Sequence, residues 1–409
     1  SFPTRRSSDL ASAPPPPEAP PPGAPLEGPL LLQTPSLSKT EIAFAFAGEI
    51  WTVAREGGTA RRIVTGQLRN SRPIFSPDGS QIAFTGTFDG NTDVYVVAST
   101  GGQPKRLTFN PSSEAAVGFT PDGKDVVFWS LRATPRDLPK LFTVPVSGGF
   151  AEVLPLPSGV DAAYSPDGKH LAYVPFPQWE PGWKKYRGGQ ATPIWIADLA
   201  DSSIVKVPRA DENQRWPMWS PRPDDAVYFV SDKDGPFSLW ATDGKGGPAR
   251  MLWRDPSGWD VRYASIGPGA IAMETLGAIH LYDLATHAEH AVKIQIADEV
   301  PQARARFEPL DKHQILHAAI SPTGKRAVFE AHGEILSVPK KKGDVRNLTR
   351  SPGVADRDPA WSPDGKWIAW LSDQGGEYAH YFRAPDRLGP PHFVSLGSPP
   401  SYFYAPRWS

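Results

Sequence analysis

The sequence predicts an all-β fold, a β-propeller built from four-stranded blades, with a six-bladed propeller followed by the start of a second. Three observations carry that expectation. A ten-residue unit, WSPDGKWIAW at Trp361 to Trp370, recurs along the whole chain. Its copies lie about 40 to 55 residues apart, a period that marks propellers and solenoids. After each copy comes a second pair of short alternating segments, as in DVYVVASTGGQPKRLTF from Asp93, so that one period holds four strands, the content of a blade.

Each part of the unit has a physical reason. Pro fixes φ at the second turn position, Asp hydrogen-bonds its local backbone, and Gly79, Gly123, Gly168 and Gly365 can take the φ > 0 conformation that closes a tight hairpin. In KWIAW, alternation sends Trp367 and Ala369 to one face and Ile368 and Trp370 to the other. Both faces of a blade are buried between its neighbours, which accounts for 11% aromatic residues and 14 Trp. The repeat itself therefore reads as scaffold.

Taken in order, residues 1 to 10, SFPTRRSSDL, correspond in frame to a common sequencing adapter and are read as its translation. Residues 11 to 30 are a Pro-rich linker. Residues 31 to 294 hold six units: the degenerate LSKTEIAF at Leu37, FSPDGSQIAF at Phe75, FTPDGKDVVF at Phe119, YSPDGKHLAY at Tyr164, WSPRPDDAVYF at Trp219 and the degenerate IGPGAIAM at Ile266. QIADEVPQARARFEPLDKHQ, residues 295 to 314, breaks the rhythm with charges and two prolines and reads as a linker between propellers. Residues 315 to 409 then supply ISPTGKRAVF at Ile320 and WSPDGKWIAW, the first blades of a second, truncated propeller. A single eight-bladed disc explains the count of units but not the interruption. Both ends of the chain read as cut.

Composition narrows the function classes. With 43 Lys+Arg against 44 Asp+Glu the formal charge is −1, so no global field draws the chain to nucleic acid or to an anionic membrane. There is no Cys, which excludes disulfides and thiolate metal sites. The sequence contains no GxSxG elbow, HExxH, GxGxxG or P-loop, so no catalytic residue is assigned. His280, His287 and His290 read as hairpin and surface positions rather than a metal site. FDGNTD from Phe88, SDKDGPF from Ser231 and SDQGGEY from Ser372 read as hairpin turns rather than Ca²⁺ loops. No metal and no cofactor is expected.

Binding is expected where the repeats differ. Strands of a meander alternate in direction, so the first and third loops open on one face of the disc and the second loops and inter-blade connections on the other. The second face carries the irregular material, SLRATPRDLPK from Ser130 and PFPQWEPGWKKYRGGQATP from Pro175. Arg132, Arg136 and Lys140 in one insert, and Lys184, Lys185 and Arg187 in the other, converge there. With Trp179, Trp183 and Tyr186 they read as a candidate peptide-carboxylate site. The site residues proposed are Arg132, Arg136, Lys184, Lys185, Tyr186 and Arg187.

WKKYRGG followed by PIWIADL, and HGEILSVPKKKGDVRNLTRSPGVADRDPAWSPDGKWIAW from His332, resemble stretches of tricorn proteases over about Leu31 to Ser409. The resemblance implies a large serine peptidase in which a six-bladed and a seven-bladed propeller precede a helical bundle, a PDZ-like domain and a catalytic domain. It implies that the propellers filter and guide peptide substrates, that polypeptides are cut to short peptides, and that the protein forms a hexamer in the cytoplasm. Its catalytic residues would lie past Ser409. Relatives are implied to anchor the substrate's carboxyl end with arginines between their second and third blades. Here that connection is NPSSEAAVG, Asn110 to Gly118, with no arginine. The alternative is a TolB-type interaction propeller, stand-alone or fused to another hydrolase such as an amidohydrolase. The Ala-Ser-Ala at the start of the linker leaves a periplasmic or secreted location as the other reading.

Overall fold

The computed structural model describes residues 11–12, 30–65, 69–132, 138–178, 187–221, 226–298, 300, 314–351, 353–386, 389–397 and 403–408. Among the described residues every regular element is a strand. The chain forms two compact units, Pro22–Arg304 and Ser1–Pro21 with Ala305–Ser409.

The larger unit contains six four-stranded antiparallel sheets, each from one contiguous stretch of chain. Blade 1 is Gln33–Leu37, Glu41–Phe46, Glu49–Ala54 and Arg61–Val64. Blade 2 begins at Arg69–Phe75, blade 3 at Glu114–Phe119, blade 4 at Asp161–Tyr164, blade 5 at Gln214–Trp219 and blade 6 at Val261–Gly267. Successive blades pack face to face. Blade 6 returns to blade 1, where the Leu32 N–H donates to the Gly277 carbonyl and the Ser265 hydroxyl to the Pro35 carbonyl.

A second tie closes the ring. Ile294–Gln295 runs parallel to Gly58–Thr59, with the Gly58 and Ala60 amides donating to the carbonyls of Lys293 and Gln295. The EGG turn of blade 1 makes room for it: Gly57 has φ +93° and a Cβ there would stand 2.4 Å from the Lys293 carbonyl oxygen.

The repeated turn does more than reverse the chain. In FSPDG the Ser76 hydroxyl bonds Asp78 at 2.6 Å and accepts the Gln81 amide at 3.0 Å, while the Gly79 amide closes onto the Ser76 carbonyl with φ +77°. Thr120–Asp122, Ser165–Asp167 and Ser362–Asp364 repeat the hydroxyl–carboxylate contact. The strands that follow are buried on both faces. Ile42, Phe44, Ile82, Phe84, Val126 and Phe128 are fully buried in clusters between neighbouring blades. Removing this much apolar surface from water is the main favourable term for the disc.

The smaller unit holds two further blades. One is Ile315–Ile320, Arg326–Ala331, Glu334–Pro339 and Arg346–Asn347. The other is Arg357–Trp361, Ile368–Ser372, Ala379–Arg383 and His392–Ser395. Ala11–Ser12, within the Pro-rich stretch, is extended and pairs with the last of these strands. Ile368 and Trp370 pack in the cluster between the two blades, and Trp367 stacks edge-on against Phe382 on the other face.

Candidate functional site

The first strand of nearly every blade carries a register shift: between Gln33 and Ser36, Ser71 and Ile74, Ala116 and Gly118, Arg215 and Met218, and Val261 and Tyr263. Blade 4 is the exception, with continuous register from Asp161 to Tyr164. A bulge bends the strand and re-aims a side chain. Thr34, Arg72 and Trp216 sit in these bulges at φ 48°, 50° and 53°, and each precedes a proline. Proline has no amide to lose from the ladder, so it is tolerated at a bulge. The displaced amides are capped from the preceding blade: Thr34 donates to Glu274 at 2.9 Å, Arg72 to Thr34 Oγ1 at 3.2 Å and Ala116 to Thr85 Oγ1 at 3.0 Å.

The position five residues before the turn proline, bulged in blades 2 and 5 and in regular register in blade 4, lines a central cavity to which all six blades contribute. Four of its side chains meet there, from four blades. Arg72 Nη2 donates to Asp161 Oδ1 at 2.5 Å, joining blades 2 and 4, and both side chains are 16% exposed. The Arg72 guanidinium also stands 5.1 Å from the Trp216 ring, which lies 4.6 Å from the ring of Tyr263. Burial pushes the Asp161 carboxyl up, against the pull of Arg72 and Arg215. For Arg72, burial works downward but the attraction of Asp161 and Tyr263 outweighs it, so its pKa is raised. The guanidinium stays charged at any ordinary pH and holds the pair ionic.

Above this floor is a cavity of about 450 Å³ lined by residues of all six blades. Ile74, Val117, Ala163 and Met218 give it apolar walls, and the Ser-Pro turns at Ser76, Ser165 and Pro221 form its rim. The turns expected to be scaffold alone therefore also frame the mouth of a pocket, within the about 300–1,000 Å³ that ligand sites occupy. It opens at the first-loop turns, with the Arg72–Asp161 ion pair and the rings of Trp216 and Tyr263 in its lining.

The second-loop face looks different. Arg132 gives Nε to Glu114 Oε1 at 2.7 Å and its Nη2 also bonds that oxygen, with the guanidinium 5.3 Å from the rings of Phe128 and Phe142. Arg187 crosses to blade 5, donating to Asp232 Oδ2 at 2.8 Å and to the Asp232 carbonyl at 2.9 Å, with Asp211 at 3.8 Å. Glu114 and Asp232 are buried, so both arginines neutralise interior acids. Lys140 lies half-buried in its strand. Arg136, Lys184, Lys185 and Tyr186, with Trp179 and Trp183, lie outside the described residues. His280 bonds Glu289 at 2.5 Å and His287 bonds Tyr282 at 3.0 Å, each within blade 6.

Arg72, Asp161, Trp216 and Tyr263 were not among the expected site residues. A signal exists: each stands five residues before the turn proline, Pro77, Pro166, Pro221 and Pro268.

The tricorn protease N-terminal beta propeller domain matches residues 29–288, more than half of the chain. The chain belongs to that family. Tricorn protease homolog 1 of Streptomyces coelicolor is 27% identical over 374 residues, covering 88% of this chain and 34% of that protein. The tricorn protease homolog of Saccharolobus solfataricus is 26% identical over 190 residues, covering 46% of this chain and 17% of that protein. A crystal structure of the tricorn protease superposes with TM-score 0.59 at 18% identity over 88% of this chain and 44% of its own, a likeness of fold. The chain thus spans about a third of the length of Tricorn protease homolog 1. Within the family domain, the axial residues Arg72, Asp161, Trp216 and Tyr263 all fall inside the matched range.

Proposed function

We propose that the chain is the substrate-filtering and scaffolding propeller region of a tricorn-like serine peptidase that degrades polypeptides to short peptides. The axial funnel is the observation that carries this reading. Its volume suits a peptide end, its walls are apolar, and its floor is barred by the Arg72–Asp161 pair, so an extended chain can enter but not pass while the pair is formed. A filter needs that combination of admission and refusal. The PDZ-like and peptidase domains, the hexamer and the peptide substrates belong to the same proposal.

The second-loop face enters as an additional contact for a substrate's free carboxyl end, through Arg132, Arg136, Lys184, Lys185, Tyr186 and Arg187. Support comes from the weaker partner of Arg187: Asp211 is 3.8 Å from Nε with its side chain 63% exposed, a contact that a peptide carboxylate can replace. Binding of fluorescent tetra- to octapeptides to the 409-residue chain, followed by anisotropy, tests the reading. Trp216→Ala should weaken binding about tenfold, the order of one lost aromatic contact. Peptide affinity that is absent in the wild type, or unaltered by Trp216→Ala, refutes the funnel as the site.

A further inference from the structure

The smaller unit repeats the axial position with different chemistry. His317 and Asp358 stand five residues before Pro322 and Pro363, where the large unit has Arg72, Asp161, Trp216 and Tyr263. Their strands carry the same shifts, between Ile315 and Ala318 and between Arg357 and Ala360, and Asp358 has φ 55°. Glu330 caps the Asp358 amide at 2.9 Å, as Glu274 caps Thr34. Glu274 faces the permanent cation Arg262 at 3.9 Å, whereas Glu330 faces His317.

The hydrogen bonds fix how that imidazole presents itself. Glu330 Oε2 lies 2.8 Å from Nδ1, and an ionised carboxylate can only accept, so Nδ1 carries the proton. In the neutral ring Nε2 is then a lone pair, and it faces Asp358 Oδ1 at 3.4 Å. Two acceptors opposed at that distance are reconciled by a proton on Nε2 or by a metal ion between them. The spacing exceeds the about 2.7–3.2 Å of a good N–H···O bond. It matches two ligands on one ion, because bonds of about 2.0–2.2 Å at a tetrahedral angle set donors about 3.4 Å apart. The three groups' ligating atoms lie within 4.8 Å of one another. Glu330 and Asp358 are 5% and 7% exposed, and among the described residues His317 is their one ion-pair partner, its side chain 59% exposed and open to an incoming ion.

We propose that His317 Nε2 and Asp358 Oδ1 bind a first-row divalent transition metal ion, with Glu330 as the positioning residue that holds the His317 tautomer and ring through Nδ1. A carboxylate on the far nitrogen of a metal-bound imidazole is the usual orienting arrangement. A mixed imidazole and carboxylate pair suits Zn²⁺ or Mn²⁺ better than Mg²⁺ or Ca²⁺, which prefer all-oxygen sites. Water completes the coordination.

Titration of the tag-free, chelator-treated 409-residue chain with Zn²⁺ by calorimetry tests this, with Co²⁺ absorption as a report on the ligands. One saturable site is expected, lost in His317→Ala and in Asp358→Asn. The second variant keeps a side chain that tolerates φ > 0, so the bulge survives. Glu330→Ala should weaken binding about 10–100-fold, and Glu330→Gln, which retains an acceptor, should recover much of it. Circular dichroism establishes that each variant is folded. The absence of a saturable site in the wild type, or its persistence in His317→Ala, overturns the proposal. Equal affinity in Glu330→Ala overturns the positioning role.

Discussion

Arg72→Met tests the axial ion pair in a way that separates charge from packing. The substitution keeps an unbranched stem in the bulge but removes the 2.5 Å contact to Asp161 and the cation over Trp216 at 5.1 Å. Asp161 is left with its side chain 16% exposed and without its blade 2 partner. Breaking one half of a buried pair costs about 3–5 kcal/mol, and the residual exposure of this one places it near the lower value. The loss should depend on pH with a definite sign. Burial already raises the Asp161 pKa, so the folded protein binds this proton more readily than the unfolded chain. Stability from such a group falls as pH rises from the unfolded pKa through the folded one. Without Arg72 the folded pKa moves further up, and the window of falling stability widens toward neutrality. Urea unfolding of wild type and variant at pH 5 and pH 8 should therefore show a larger difference at pH 8. Adding Asp161→Asn to Arg72→Met should recover part of the loss, because the stranded charge is gone. A pH-independent difference, or a double variant that loses the sum of the two singles, contradicts the ionic plug.

Three further outcomes are expected. The exposed turn carboxylates should titrate low: Asp78 is pushed down to about 2, first by the Ser76 hydroxyl and then by Ser80, and Asp122, Asp167 and Asp364 are lowered by Thr120, Ser165 and Ser362. The stability these turns give is present above the ordinary carboxylate range and is lost as pH falls through the depressed values. Carbon-detected NMR titration checks it, with unshifted carboxylates as the contrary result. Gly57→Ala should destabilise the large unit by at least about 1–3 kcal/mol through its positive φ and the clash with Lys293. Gly58→Ala, with φ +113° but nothing within 4 Å, should cost less in the same urea assay. Arg132→Ala should cost about 3 kcal/mol by stranding the fully buried Glu114, and Arg132→Lys should restore little, since an ammonium lacks the planar fork.

Much of the architecture was legible because the repeat encodes it locally. Pro, Asp and Gly fix the turn, and period-two alternation fixes which side chains enter the inter-blade clusters, so Ile368 and Trp370 fall where the pattern puts them. The axial floor was not read, because Arg72, Asp161, Trp216 and Tyr263 differ in chemistry from blade to blade and meet only through ring closure. Their shared offset from the turn proline, and the Pro73 and Pro217 that mark bulges inside strands, were the available signals. Arg132 and Arg187 looked like a free basic rim because sequence places them on irregular loops. Their partners Glu114 and Asp232 lie 18 and 45 residues away, and only the fold brings them together.

A peptide end that enters the axial funnel from the first-loop face must touch the cavity wall. Photo-crosslinking of short peptides bearing an amino-terminal diazirine to the intact chain, with the adducts mapped by mass spectrometry, addresses it directly. Adducts are expected on that wall, at Ile74, Val117 and Met218, and are expected to be competed by unlabelled peptide. Adducts confined to the second-loop face or scattered over the outer strands, with none on those three residues, would contradict it.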